Sequence, residues 1–304
     1  REGWIRENDF MINTKLDDDY NFKFKLHSSI DKELTCKEFL KNKEVRIQLA
    51  KDKNLPIGYN INTGLVYSID LSKIFCYVIS GKRRSGKTNA LKILISAAYA
   101  KGDDVYVIEL TKHELKNTFM NTNIVIASNV DEIYDILNLF IPVYKERNVY
   151  VLECIKKGYT NEEIFMLMQQ YPRIHVFIED LVWFIKAILP KKEKRNIYGF
   201  LENIISKGHL HNIYYYYSLN QSCIVHDFEF KRENLYDLFI NDAKGIHFGG
   251  ELDQEHILHF QLLGNNMRDK IVKPGIGLTR AYNINSKSIF VEDEEFFVLL
   301  PIYK

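Results

Sequence analysis

The chain of 304 residues is 46% hydrophobic and 27% charged, apolar enough for one large α/β domain or two ordinary ones and incompatible with disorder throughout. Forty-one Lys and Arg against 40 Asp and Glu leave a net charge of +1, which disfavours a protein that grips DNA by a broad basic face. Four cysteines, Cys36, Cys76, Cys154 and Cys223, contain no CxxC pair and exclude a disulfide framework or zinc knuckle, so a reducing, cytosolic setting fits. No apolar run reaches the ~18 residues of a membrane helix, so direct membrane insertion by this chain is not expected. The chain lacks a signal peptide and opens on Arg1, which suggests a piece of something longer.

In chain order, residues 1–55 mix charge with aromatics and predict extended segments and one helix over Lys37–Lys51. They read as an N-terminal extension or linker packing on the core, with the principal domain at 56–304. Beyond Pro56, Leu65–Leu71 and Ile74–Ser80 predict strands, with Cys76 a small core residue in the second. A turn at Gly81–Thr88 leads into a helix reaching about Ala100. Asp104–Leu110 and Ile124–Ser128 are buried-strand candidates. Apolar residues at helical spacing predict a long helix over Val130–Lys157, with Pro142 arguing for a kink. Thr160–Tyr171 predicts another, opened by a Thr160/Glu163 capping box.

Ile174–Ile178 is an apolar strand, followed by helices over Leu181–Leu189 and Asn196–Lys207; the charged run Lys191–Arg195 between them reads as a solvated loop. Ile213–Leu219, with four consecutive tyrosines, and Gly245–Gly249 predict strands, and Gln254–Leu262 a helix. Gly277–Ala281, Lys287–Val291 and Phe296–Leu300 predict a small antiparallel set. Strands alternating with helices imply an α/β fold with a mainly parallel sheet covered on both faces.

The sharpest motif is Gly81-Lys82-Arg83-Arg84-Ser85-Gly86-Lys87-Thr88, a complete G-x-x-x-x-G-K-[ST] (Walker A) between a strand and a helix. Its glycines let the backbone wrap phosphate oxygens, and successive N–H groups with the helix N-terminus form an anion nest. Lys87 can reach the β and γ phosphates of ATP, and the Thr88 hydroxyl can ligate Mg²⁺. The strand Ile174–Ile178 ends on Glu179-Asp180, a Walker B candidate in which one acid orders the Mg²⁺ shell and the next orients the attacking water. The usual order is Asp then Glu; here it is inverted. Another strand end offers Asn220 and Gln221, neutral amides where a sensor of the γ-phosphate would sit. The pairs His209/His211 and His256/His259 have no third ligand at metal spacing, and Asp17–Asp19 lacks the rest of a calcium loop.

Through these residues the chain resembles the FtsK/SpoIIIE family of motor ATPases and, within it, the ATPase domains of type VII secretion. The resemblance covers about residues 55–282 and is carried by Leu55-Pro56-Ile57-Gly58, Val66–Leu71, the glycine loop and Glu179-Asp180. It continues in Ile205-Ser206-Lys207-Gly208, in Asn220-Gln221 and in Lys273-Pro274-Gly275-Ile276-Gly277. It implies a RecA-like nucleotide-binding fold, one of several tandem ATPase copies in a membrane-anchored parent, hexamer-like assembly, and a cytoplasmic location for this part. It also implies that a terminal copy recognises WXG100-like helical secretion substrates. Two alternatives stand beside this: a DNA-translocating motor, which the neutral charge disfavours, and a non-hydrolysing module that uses ATP as a structural ligand. The inverted pair leads to the expectation of weak or no hydrolysis by the isolated domain, since Mg²⁺ tolerates little departure from octahedral geometry. Several arginines, Arg268 among them, are eligible to act across a subunit boundary.

Overall fold

The computed structural model describes residues 2–7, 10–16, 22–26, 35–61, 63–74, 76–188, 201, 208–220, 244–250, 272–280 and 295–303. The helices expected over 196–207 (save Leu201) and 254–262, the strand over 287–291, and Asp17–Asp19, Lys191–Arg195, Gln221, Cys223, His256, His259 and Arg268 lie outside the described residues.

The chain begins with strands β1 (Glu2–Glu7), β2 (Phe10–Leu16) and β3 (Phe22–Leu26), then helices α1 (Cys36–Lys41) and α2 (Lys43–Leu49). Strands β4 (Asn54–Asn60), β5 (Val66–Asp70) and β6 (Cys76–Gly81) lead into helix α3 (Lys87–Lys101). Next come β7 (Asp104–Ile108), α4 (Glu114–Phe119), β8 (Val125–Ala127), α5 (Val130–Lys156) and α6 (Asn161–Met168). The chain continues through β9 (Ile174–Ile178), α7 (Leu181–Ile188), β10 (Ile213–Asn220), β11 (Lys244–Gly250), β12 (Val272–Arg280) and β13 (Glu295–Leu299).

β1–β3 pair antiparallel as a sheet of their own. The remaining strands form one ten-stranded sheet in the order β5-β4-β13-β12-β11-β6-β10-β9-β7-β8. From β11 to β8 every pair is parallel; from β11 to β5 every pair is antiparallel. The antiparallel wing is thus more than the small C-terminal set expected from sequence. β13 pairs with β4, so strands from before the glycine loop and from the tail close the same side of the sheet.

The tyrosine run shows why the parallel strands are apolar throughout. Tyr214 to Tyr217 are fully buried, and alternate residues enter opposite faces: Tyr215, Tyr217 and Leu219 join the core under α5 and α7, while Tyr214 and Tyr216 join the one under α3. A strand covered on both faces has no polar side to show. Phe39, Val45 and Leu55 join the α3-side core, and Cys36 N–H donates to Ile302 O at 2.8 Å, so residues 35–55 pack against the tail and α3.

One local expectation is corrected, and two elements were not anticipated. The helix expected over Lys37–Lys51 is two helices, because the Asn42 side chain accepts from Glu44 N and Val45 N and starts a new one. β4 is a full strand despite Pro56 and Gly58, whose register slips between them, a place where a sheet accommodates proline. The short α4 was not expected at all. α5 runs through Pro142, and α6 carries the Thr160/Glu163 capping box. No helix among the described residues is long and apolar enough to cross a membrane.

The topology positions the site. β6 lies between β11 and β10, and β10 separates it from β9. The loops after β6, β7, β9 and β10 therefore leave one edge of the parallel sheet side by side, where open α/β sheets bind ligands.

Candidate nucleotide site

Gly81 ends β6 with φ +144°, and a Cβ there would stand 1.8 Å from Phe248 O, so only glycine fits. Arg84 (φ 64°) and Gly86 (φ +113°) also adopt left-handed backbone, curling the loop before α3 begins. Gly86 caps α3 without a side chain, and the first turn holds no acid, leaving its N–H groups and positive dipole end facing outward. Lys87 is buried and folds back, its Nζ donating to Gly81 O at 2.7 Å and Lys82 O at 2.6 Å. Ser85 Oγ is buried with no hydrogen-bond partner among the described residues.

The tail braces the loop from behind. Gly275 N–H donates to Ser85 O at 3.1 Å, and Gly275 O accepts from Leu300 N at 3.0 Å. Asn89, on the first turn of α3, donates to Pro301 O and accepts from Tyr303 N, both at 2.8 Å. The Lys273–Gly277 segment singled out in the sequence thus contributes a backbone strut under the glycine loop.

A cavity of about 1170 Å³ opens in front of the loop. Of the residues predicted from sequence, Lys82, Arg83, Arg84, Gly86, Lys87, Thr88, Asp180 and Asn220 line it. Gly81, Ser85 and Glu179 are buried and are not among its lining residues; Gln221 lies outside the described residues. Sequence reasoning missed Thr111, Lys112, Glu114, Ser218 and Trp183, which also line the cavity. Their one available signal was position: Thr111 and Lys112 follow the end of β7, and strand-end loops on this edge gather at the site.

The acidic pair is held in two different ways. Glu179 is 3% exposed, accepting from Thr111 Oγ1 at 3.0 Å and from Lys112 Nζ at 2.6 Å. Asp180 opens α7: its Oδ1 accepts from Val182 N at 3.0 Å and Trp183 N at 3.3 Å, and its Oδ2 from Asn220 Nδ2 at 3.3 Å. Burial raises the Asp180 pKa above the ordinary carboxylate value, and the adjacent Glu179 charge adds to the rise, against the bonds from α7. Ser218 Oγ donates to Glu179 O, tying β10 to the end of β9.

The chemistry of this donor set suits a magnesium nucleotide. Cationic side chains line the cavity together with Thr88, whose hydroxyl is a hard oxygen donor of the kind Mg²⁺ takes, while Glu179 lies behind the lining with its oxygens engaged by Thr111 and Lys112. Among the described residues no group of three or more His, Cys, Asp and Glu is arranged to hold a metal ion.

A glycine loop between strand and helix, with one strand interposed before the strand that ends in acids, defines a RecA-like P-loop fold. Among solved structures the chain is similar to the cytoplasmic domain of EssC, with TM-score 0.69, 14% identity and coverage of 90% of this chain. It is also similar to the cytoplasmic domain of the Thermomonospora curvata type VII secretion ATPase EccC (TM-score 0.54, 11% identity, 89% of this chain and 28% of that one). A third is the pCW3 conjugation coupling protein TcpA, in a monomer form with ATPγS (TM-score 0.56, 13% identity, 83% of this chain and 67% of that one). The chain spans about half the length of the EssC structure, 48%. At these identities the likeness is one of fold. No family model and no curated protein sequence matches the chain.

Proposed function

We propose that this chain is an ATP-binding domain of a type VII secretion ATPase, and that in isolation it turns ATP over slowly or not at all. The observation that carries the reading is the Lys87 ammonium held in a glycine loop at the mouth of a large cation-lined cavity. Lys87 is poised to exchange its two carbonyl partners for phosphate oxygens, stronger acceptors because they are charged. The N–H groups at the start of α3 would hold the same phosphates, and Lys82, Arg83 and Arg84 would add to the field around them. Thr88 and Glu179 would hold Mg²⁺, which supplies neutralisation of phosphate charge when bound. Asn220, with Gln221 beyond it, would sense the γ-phosphate.

Slow turnover follows from how the second acid is held. A carboxylate that orients water must be aimed at that water, and three hydrogen bonds turn Asp180 toward α7 and Asn220 instead. It is also one methylene shorter than the usual glutamate, and about 1 Å of misplacement can cost on the order of 100-fold in rate. We further read the domain as one ATPase copy of a membrane-anchored, hexamer-forming parent. In that reading its partners are the parent's other ATPase domains and WXG100-like helical secreted proteins, which would seat a helix in an apolar groove.

A second reading, a DNA-translocating motor, is favoured by the likeness to the TcpA coupling protein and disfavoured by the net charge of +1. A third, an ATP-dependent binding module without hydrolysis, is favoured by the engaged Asp180. Turnover measured alone, with duplex DNA and with a small helical secreted protein separates them. The proposal expects ATP binding with turnover that responds to the helical protein and not to DNA. Stimulation by DNA alone would replace it with the motor reading, and ATP binding unaffected by either partner and without turnover would favour the third.

A further inference from the structure

Glu179 is almost entirely buried, yet both of its carboxylate oxygens are held by side chains of the loop after β7, Thr111 and Lys112. A buried carboxylate without a nearby cation is costly, and Lys112 at 2.6 Å supplies the charge. The Lys112 side chain is itself 55% exposed and lines the cavity beside Thr88 and Asp180. Its ammonium therefore stands on the solvent side of Glu179, between that carboxylate and the space in front of the glycine loop. A lysine on a flexible stem at half exposure can leave for water at small cost, whereas Glu179 cannot follow it. The carboxylate oxygens that Lys112 and Thr111 occupy are the ones a strand-end acid would offer to a metal.

Resting on the reading of this cavity as a Mg²⁺–ATP site, we propose that Lys112 is an exchangeable counter-ion of Glu179, so that Mg²⁺ and the Lys112 ammonium compete for one carboxylate. The bound metal would engage Glu179 only when Lys112 swings away, and removal of Lys112 would leave a buried anion seeking a divalent cation. Lys112 is thus a positioning residue that sets how strongly nucleotide binding depends on Mg²⁺.

The test is ATP binding by calorimetry to the whole 304-residue chain, with EDTA and then with Mg²⁺, for the wild type, Lys112→Met and Lys112→Arg. The quantity read is the gain in affinity on adding Mg²⁺. Lys112→Met should enlarge that gain about 10- to 100-fold over wild type, the equivalent of one charge-assisted hydrogen bond. Lys112→Arg, which keeps the charge, should behave as wild type. Adding Glu179→Gln to Lys112→Met should abolish the enlargement, because the competition runs through Glu179. An equal Mg²⁺ gain in wild type and Lys112→Met overturns the proposal. So does an enlarged gain that persists with Glu179→Gln, which would place Lys112 on the phosphates instead. If the wild type binds no ATP in either condition, the nucleotide reading itself fails and the inference falls with it.

Discussion

Two neighbouring strands, β7 and β9, each end in a buried glutamate, and the two are held by different kinds of partner. Glu109 is fully buried, and its oxygens accept from the backbone N–H groups of Leu115 and Lys116, both at 2.9 Å. Glu179 is as buried but is held by a hydroxyl and an ammonium, both on side chains. Backbone amides at the start of α4 cannot turn away without unwinding the helix, whereas Lys112 can rotate into water. We read the difference as separating an acid fixed into the fold from one whose partners can be exchanged. Burial alone does not distinguish them; the mobility of the partner does.

The largest loss is expected where backbone meets backbone. Gly81→Ala at the end of β6 forces a Cβ onto Phe248 O, and by the scale of exceptional single-site losses it should cost about 4 kcal/mol or more. Denaturant unfolding should find the variant unfolded or close to it. A well-folded Gly81→Ala would mean that the loop and β11 can separate freely. Glu109→Ala comes next: it strands two N–H groups at the α4 terminus and should cost about 3 kcal/mol by the penalty for unsatisfied buried donors. Glu179→Gln should cost only about 1 kcal/mol, since the amide keeps an acceptor and Lys112 can be solvated. Equal losses for Glu109→Ala and Glu179→Gln in urea titrations would erase the proposed distinction.

The smallest expected effect is at Asp180, and it carries a pH sign. Its folded pKa is raised, first by burial and then by Glu179. The native state therefore holds the proton more tightly than the unfolded chain. Stability is fullest below the unfolded pKa and falls as pH rises from there through the folded value. Asp180→Asn has no such slope and keeps an oxygen for the α7 amides. The variant should gain on the wild type as pH rises from 4 to 7, by less than about 1 kcal/mol. A stability difference independent of pH would show that Asp180 ionises as freely folded as unfolded.

What could be read from the sequence was what is local. The glycine loop is contiguous, and its flanking strand and helix carry strong apolar signals, so its place in the fold was legible. The inversion of Glu179 and Asp180 was equally plain. β4 was hidden by Pro56 and Gly58, which break a strand pattern unless a bulge receives them. α4 was hidden because the carboxylate that receives its first-turn amides, Glu109, lies outside the helix at the end of the preceding strand. Lys112 was invisible as a partner of Glu179, because 67 residues separate them and only the β7–β9 pairing brings them together. The engagement of Asp180 by α7 and Asn220 was also beyond reach, although the unusual order of the acids marked the place.

In our reading the glycine loop binds ATP through Lys87. Calorimetric titration of ATP with Mg²⁺ into the wild type and Lys87→Ala tests it most directly. Loss of one charge-assisted contact to phosphate, worth roughly 1.5–3 kcal/mol, should weaken affinity about 10- to 150-fold. Equal ATP affinity in the two proteins would mean that Lys87 does not hold the phosphates.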